Sequence, residues 1–348
     1  MSGGPGEAGA PQGENARPLL SVVIPVWNRR DVIRRCLDSV LTQDFGDFEV
    51  IVVDDGSTDD SPAVMASYAD PRLRVLRHAE NRGVCAARDT GTRAARGAWI
   101  VYVDSDWALE PGALRRLEPM VRRAPPDVGI VGGSMRMDTG ALSPAVPPPE
   151  DPFGYIEYLR WIETGGAGDH LTCWRRQVFD EFRWPTDRRW EAGFFFQVAS
   201  RWKKWVARDV LVVQYTQCAN RLTEDSTVTS GERRLAMAPA LAQDVDETLD
   251  RFGADLRTHA PHCYGNCLEG GAMWNFLAGR RGKGLRFACR AWLFSPWKVH
   301  VLGIAVAGLV GARCLLAVRR FTWVRFLLRK LVHLGWRRGA GGPTPGRT

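Results

Sequence analysis

The last fifth of this sequence has no acidic residue: from Gly270 to Thr348 there are 15 Lys or Arg and not one Asp or Glu. The other 32 of the 47 basic residues share the preceding part with all 39 acidic ones, so that part is net negative and the overall charge of +8 comes from the end. This distribution excludes a nucleic-acid-binding core, because a face that tracks phosphates must be basic where the domain is folded. An anionic membrane surface suits a basic, apolar tail better. A spanning hydrophobic stretch is also lacking. The uninterrupted apolar run Val301 to Ala312 has 12 residues, against about 20 for a membrane-crossing helix. Met1 to Arg17 carries no apolar signal segment, and the eight cysteines show no small-domain disulfide spacing, so they are expected to be reduced thiols of a cytoplasmic protein. His259, His262, Cys263 and Cys267 cluster locally but match no standard zinc spacing. There is no glycine-rich phosphate cradle of the P-loop kind, which argues against a kinase or ATPase.

What is present is enough apolar material, 45% of 348 residues, for one substantial domain with an appendage. Met1 to Ala16, rich in Gly, Pro and Ala, is expected to be a disordered leader. Leu20 to Val26 is a short apolar run, and after Asp31 the residues Val32, Ile33, Cys36, Leu37, Val40 and Leu41 recur at helical spacing. The alternation continues with strands expected at Glu49 to Val53, Leu73 to Arg77, Trp99 to Val103 and Val128 to Gly132. Helices are expected at about 60–68, 84–95 and 111–123. Alternating strand and helix predicts an α/β fold with a mainly parallel central sheet. Beyond this the pattern weakens. Ser143 to Pro152 holds five of the 21 prolines and reads as a loop over the site or a hinge. The stretch after Tyr155 is aromatic (Trp161, Trp174, Trp184, Trp190, Trp202, Trp205), which suits sugar stacking but more simply supplies a core. Near the end, Val324, Leu327, Leu328 and Leu331 line one helical face and Arg325, Arg329 and His333 another. That pattern fits a helix lying in a membrane interface, or one packed on the domain with a solvated basic face.

In an open parallel sheet, ligands collect at the carboxyl ends of the strands. Polar motifs fall at three such ends: Trp27 and Asn28, then Asp54, Asp55, Gly56 and Ser57, then Asp104, Ser105 and Asp106. Two carboxylates directly after an apolar strand can hold a hard divalent ion, Mg²⁺ or Mn²⁺, with positions left for phosphate oxygens.

Ser-Val-Val-Ile-Pro-Val-Trp-Asn at 21–28, Val-Asp-Asp-Gly-Ser-Thr-Asp at 53–59, Asn81-Arg82-Gly83 with Ala87-Arg88-Asp89, and Val103-Asp104-Ser105-Asp106 together resemble the N-terminal half of family 2 glycosyltransferases. The resemblance is dense from Leu20 to Val131. It implies a GT-A type nucleotide-sugar-binding fold over residues 17–255, followed by a helical basic and apolar segment over 256–348. It also implies an inverting, metal-dependent transfer from a nucleoside-diphosphate sugar (UDP, GDP or dTDP) to a hydroxyl acceptor on a cell-surface glycan, lipid-linked molecule or natural product. Pro25, Trp27 and Asn28 would flank the nucleotide, Asp55 would accept hydrogen bonds from its base, and Arg88 would sit near the diphosphate. Asp104 and Ser105 would touch the ribose or sugar, and Asp106 would be the principal ligand of Mn²⁺ or Mg²⁺, with Asp104 beside it. Asp54 reads instead as a turn-forming carboxylate.

Family members usually carry an acidic pair before an aromatic helix in the second half. Here that place is Trp190-Glu191-Ala192-Gly193-Phe194, with a single acid, so Glu191 is the candidate base, and Ala192 stands where the second acid would be. Asp169-His170 is a second polar pair in the same region, equally explained as a local turn. Two other readings stay open: a noncatalytic nucleotide-sugar-binding protein at the membrane, favoured by Ala192, and a nucleotidyltransferase, disfavoured because its early Gly-rich basic loop is absent. The expected location is cytoplasmic and peripheral to the inner face of the cell membrane.

Overall fold

The computed structural model describes residues 17–166, 168–186, 192–216, 231–312 and 314–316. The chain forms two compact units, the first reaching Arg221 and the second beginning at Leu222. Glu191 and the interfacial helix expected around Val324 to Leu331 lie outside the described residues, as does the N-terminal segment Met1 to Ala16.

The first unit opens with strand β1 (Leu20–Val26), helix α1 (Ile33–Leu41), β2 (Phe48–Asp54), α2 (Ser61–Ala66), β3 (Leu73–Arg77), α3 (Val84–Ala94) and β4 (Trp99–Tyr102). Every residue of β1, β2 and β4 is buried, which is why these strands read as continuous apolar runs rather than alternating ones. The pleat divides β1 between two cores. Leu20, Val22, Ile24 and Val26 meet Ile33, Cys36, Leu37 and Val40 of α1 on one face, and Val23 meets Cys85 and Ala87 of α3 on the other. The approach of α3 is close because Gly91 has no side chain. A Cβ there would stand 2.4 Å from a methyl of Val23.

The chain continues through β5 (Trp107–Leu109), α4 (Ala113–Arg123), β6 (Val128–Met137), β7 (Leu142–Ser143), α5 (Tyr155–Trp161), β8 (Leu171–Arg175), α6 (Val178–Glu181), α7 (Ala192–Ala199) and β9 (Lys203–Gln214). Among the described residues nine strands make one sheet in the order β3-β2-β1-β4-β8-β6-β9-β5, with β7 paired to β6. The block β3-β2-β1-β4 is parallel, as expected from the alternation, and β6 and β9 are parallel to each other. Strand β8 joins the two halves by antiparallel pairing on both sides. Strand β6 was expected to stop at Gly132 but runs on to Met137, because its second half pairs with β9 through a register shift after Gly133. The aromatic stretch supplies core: Trp161, Trp174 and Trp184 are all buried, and Trp174 and Trp184 stack among Phe179 and Phe194.

The second unit is helical: α8 (Gly231–His259), α9 (Pro261–Leu277), α10 (Arg281–Phe294) and α11 (His300–Val310). Its interior is built around Leu256, Leu268, Phe276 and Phe287, with Asn275 fully buried and donating to the Gly271 carbonyl. Among the described residues no helix is long and apolar enough to cross a membrane, and no group of three or more His, Cys, Asp or Glu gathers as a metal cage.

Candidate active site at the strand ends

The strand order reverses its direction of growth at β1: β2 and β3 lie on one side, β4 on the other. Such a switch point opens a crevice beyond the carboxyl ends of the two central strands. Pro25 helps to open it. Pairing of β1 with β4 ends at Val23 and Tyr102, followed by a bond from the Val103 N–H to the Val23 carbonyl. Residues two apart face the same neighbour, so Pro25 has no N–H to offer just where β4 must part from β1. Pairing of β1 with β2 runs on past it, Pro25 opposite Val53.

Asn28 and the Asp54–Ser57 turn are stitched together across this rim. The Asn28 N–H donates to Ser57 Oγ at 2.9 Å, and its Oδ1 accepts the Thr58 N–H at 2.8 Å. Asn28 takes a left-handed backbone, φ 51°, which asparagine tolerates better than most residues. Asp54 behaves as a turn former: it is fully buried, its Oδ1 accepts the Ser57 N–H at 2.9 Å, and Arg77 lies 3.4 Å from its Oδ2. Gly56, φ +72°, is required by the same turn, since a Cβ would meet the Glu80 backbone at 2.5 Å.

Asp55 is buried and gripped from within the chain. Its Oδ1 accepts His78 Nδ1 at 2.7 Å and the Arg82 N–H at 2.9 Å, and its Oδ2 accepts the Gly83 N–H at 2.7 Å. The Asp-Asp-Gly motif thereby fixes the loop that leads into α3. His78 Nε2 in turn lies 2.9 Å from Thr90 Oγ1. His78 was not anticipated from the sequence, although it is the first residue past an expected strand and the strand-end rule covers it.

The acidic turn lies between β4 and β5. Asp104 Oδ1 accepts Arg88 Nη2 at 2.9 Å, and the Arg88 guanidinium stands 5.2 Å over the Trp184 ring. Ser105 Oγ accepts Arg29 Nε at 3.3 Å, another residue that sequence reasoning missed. The Asp106 carbonyl accepts the Tyr215 N–H at 3.1 Å, and Arg35 stacks on Tyr215 with its Cζ 3.4 Å from the ring centroid. Three arginines, one from the loop after β1, one from α1 and one from α3, thus gather about one turn. Cys36 Sγ lies 3.7 Å from the Asp104 carbonyl. Burial, then the charges of Asp106 and Asp104, push its thiol far above the ordinary range. Trp27 stands half-buried at the rim.

Asn28, Asp55, Arg88, Asp104, Ser105 and Asp106 are therefore brought to the ends of β1, β2 and β4. Asp169-His170 is a separate matter. His170 is half-buried, edge-on to Trp161, with Nδ1 2.9 Å from the Gly168 carbonyl and Nε2 3.2 Å from Lys204 Nζ. A cavity of about 310 Å³ bordered by Arg116 and Met120 of α4 and by Trp205 and Arg208 of β9 contains none of these residues.

The carboxylates of the turn fit a divalent cation of the hard, oxygen-preferring kind. Two side chains are too few for an all-protein cage, so Mn²⁺ or Mg²⁺ held there would complete its shell with water and phosphate oxygens.

Residues 21–202, more than half of the chain and including the whole rim, match the family model described as Glycosyl transferase family 2. Over 107 residues the chain is 43% identical to the succinoglycan biosynthesis protein ExoO of Rhizobium meliloti (strain 1021), a match covering 31% of this chain and 30% of that protein. Over 99 residues it is 42% identical to chondroitin synthase of Escherichia coli, covering 28% of this chain and 14% of that protein. The matched segment thus spans less than a third of either relative's length. Among solved structures, S. aureus TarS 1-349 in complex with UDP-GlcNAc aligns with a TM-score of 0.54 at 15% identity, over 86% of this chain and 91% of that one. The likeness is one of fold, the GT-A arrangement of a curled, mainly parallel sheet. On the motifs at its strand ends and the family match that covers them, the chain belongs to glycosyl transferase family 2.

Proposed function

We propose that this chain moves a sugar from a nucleoside-diphosphate sugar to a hydroxyl acceptor, inverting the anomeric carbon. The observation that carries the reading is the gathering of Asn28, Asp55, Arg88, Asp104, Ser105 and Asp106 at one crevice in a chain of this family. TarS, which shares the fold, has been solved in complex with UDP-GlcNAc, and this supports a nucleotide-sugar donor. The names of the relatives, succinoglycan biosynthesis protein and chondroitin synthase, favour a growing polysaccharide or its lipid-linked precursor as acceptor.

In this reading Pro25, Trp27 and Asn28 flank the nucleotide, and Asp55 meets the base with the lone pairs left by His78, Arg82 and Gly83. Arg88 turns its guanidinium from Asp104 to the diphosphate, where planar donors match phosphate oxygens. Asp106 and Asp104 would hold Mn²⁺ or Mg²⁺, whose positive charge would offset that of the departing diphosphate. The acceptor oxygen attacks the anomeric carbon, and the bond from that carbon to the diphosphate oxygen breaks. The acceptor's proton passes to the carboxylate of Glu191, and the nucleoside diphosphate leaves.

The test is release of nucleoside diphosphate from UDP, GDP and dTDP sugars by purified protein with Mn²⁺ or Mg²⁺. Release from one donor is expected, abolished in Asp106→Ala. Glu191→Gln should lower turnover by about a hundredfold or more, while donor binding stays within about twofold. Normal turnover in Glu191→Gln removes that residue from the role of base. Nucleotide-sugar binding with no release would make the chain a noncatalytic binder, and release of pyrophosphate would make it a nucleotidyltransferase.

A further inference from the structure

Among the described residues, all but two of the exposed large hydrophobic side chains fall between Leu285 and Val310. On α10, Leu285, Trp292 and Leu293 recur at i, i+7 and i+8, one stripe of a helix. On α11, Leu302, Val306, Leu309 and Val310 recur at i, i+4, i+7 and i+8, again one stripe. The two helices pack against each other, and around the short connection Leu293, near the end of α10, and Trp297 and Val299 are 72%, 76% and 70% exposed. A soluble surface rarely gathers so much apolar area without a partner.

The charge around the stripes says which partner. From Gly270 onward every ionic side chain is basic, and Arg281 and Arg286 stand exposed on α10. The acids of the preceding helices only partly offset them: Asp246 lies against Arg280 and Lys283, and Glu269 against Lys298 and His300. A second copy of the chain would oppose like charge with like charge across such a face. An anionic lipid layer offers the opposite sign together with an apolar interior, and tryptophan prefers the boundary between the two. The geometry limits the mode of contact. With 11 residues α11 is about 16 Å long, roughly half the hydrocarbon thickness of a bilayer, so it can lie on a membrane but not cross it.

We propose that α10, the 295–299 connection and α11 form a docking face for an anionic phospholipid bilayer. Leu293 and Trp297 enter the boundary between headgroups and acyl chains, and the flanking arginines meet lipid phosphates. The inference is independent of sugar transfer, since it rests on the second unit alone.

The experiment is co-sedimentation of the full chain with vesicles of phosphatidylglycerol and phosphatidylcholine, against vesicles of phosphatidylcholine alone, at low and high salt. Binding to the anionic vesicles is expected, weakened by salt, and reduced about tenfold or more in the double variant Leu293→Ser, Trp297→Ser. Both side chains are exposed, so the variant should melt with the parent protein, and a thermal scan checks that it folds. Equal binding to neutral vesicles, or unchanged binding by the double variant, overturns the proposal. So does failure of the parent protein to bind either vesicle, including the case in which it forms a dimer that the double variant dissolves.

Discussion

Lys204 is a buried lysine in a setting at odds with its charge. Its ammonium lies beside His170 Nε2 and over the rings of Tyr158 and Trp161, and among the described residues no carboxylate pairs with it. Burial pulls its pKa down to about 8, well below the ordinary 10.5. Burial, and then the charge of Lys204, pulls His170 down to about 3 from 6.5. For both groups the unfolded chain binds more protons than the folded one, between pH 3 and 6.5 for His170 and between pH 8 and 10.5 for Lys204. Stability should therefore rise with pH across each window. Lys204→Met should gain about 1–3 kcal/mol at pH 7, and most of the gain should fade by about pH 10.5, where the folded lysine is neutral and the unfolded one is half deprotonated. Urea unfolding at the two pH values checks it. No gain at pH 7 would mean that the ring contacts offset the burial. At this scale the sequence singled out Asp55 and the acidic turn because they follow strands, and Arg88 because it sits in a motif that forms α3. It did not disclose His78 and Arg29, whose partners Asp55 and Ser105 lie 23 and 76 residues away and are met only across folded strands.

Among the elements, α3 links the core to the rim. It carries Arg88 on the side of Asp104, and it meets β1 at Gly91 with Val23 filling the gap. Valine is stiff about its first side-chain bond and cannot turn aside easily. Gly91→Ala should therefore cost about 1–3 kcal/mol despite alanine's better helix propensity. A chemical-denaturation midpoint that stays put or rises in Gly91→Ala would show that α3 can shift without penalty. The strands β1, β2 and β4 and the helices beside them were legible because each of these strands is buried on both faces and the helices turn apolar residues to the sheet, whereas β3 is half-buried, with Val75 exposed. Strands β8 and β9 were not legible, since antiparallel partners such as Trp99 and Arg175, or Trp107 and Gln214, are set by tertiary closure rather than by local pattern.

At the scale of the whole molecule, the halves of the chain differ in charge and in how their contacts are made. Within the parallel block β1 pairs with β2, Leu20 opposite Phe48, and with β4, Leu20 opposite Trp99, whereas β5 and β9 join residues about a hundred positions apart, Trp107 opposite Gln214, and the acidic turn sits directly at that junction through the Tyr215 N–H and the Asp106 carbonyl. Contacts of such separation form late in folding, because the intervening chain must be closed first. Under mild denaturant, exchange of the Tyr215 amide and loss of nucleotide-sugar binding should therefore advance together, ahead of exchange in β1 and β2. Hydrogen exchange followed by mass spectrometry would read this, and simultaneous exchange of all three regions would show a single cooperative unit instead. If the order holds, occupancy of the donor crevice registers closure of the distant strand, and an incompletely folded chain with a well-formed parallel core would still be blind to its substrate.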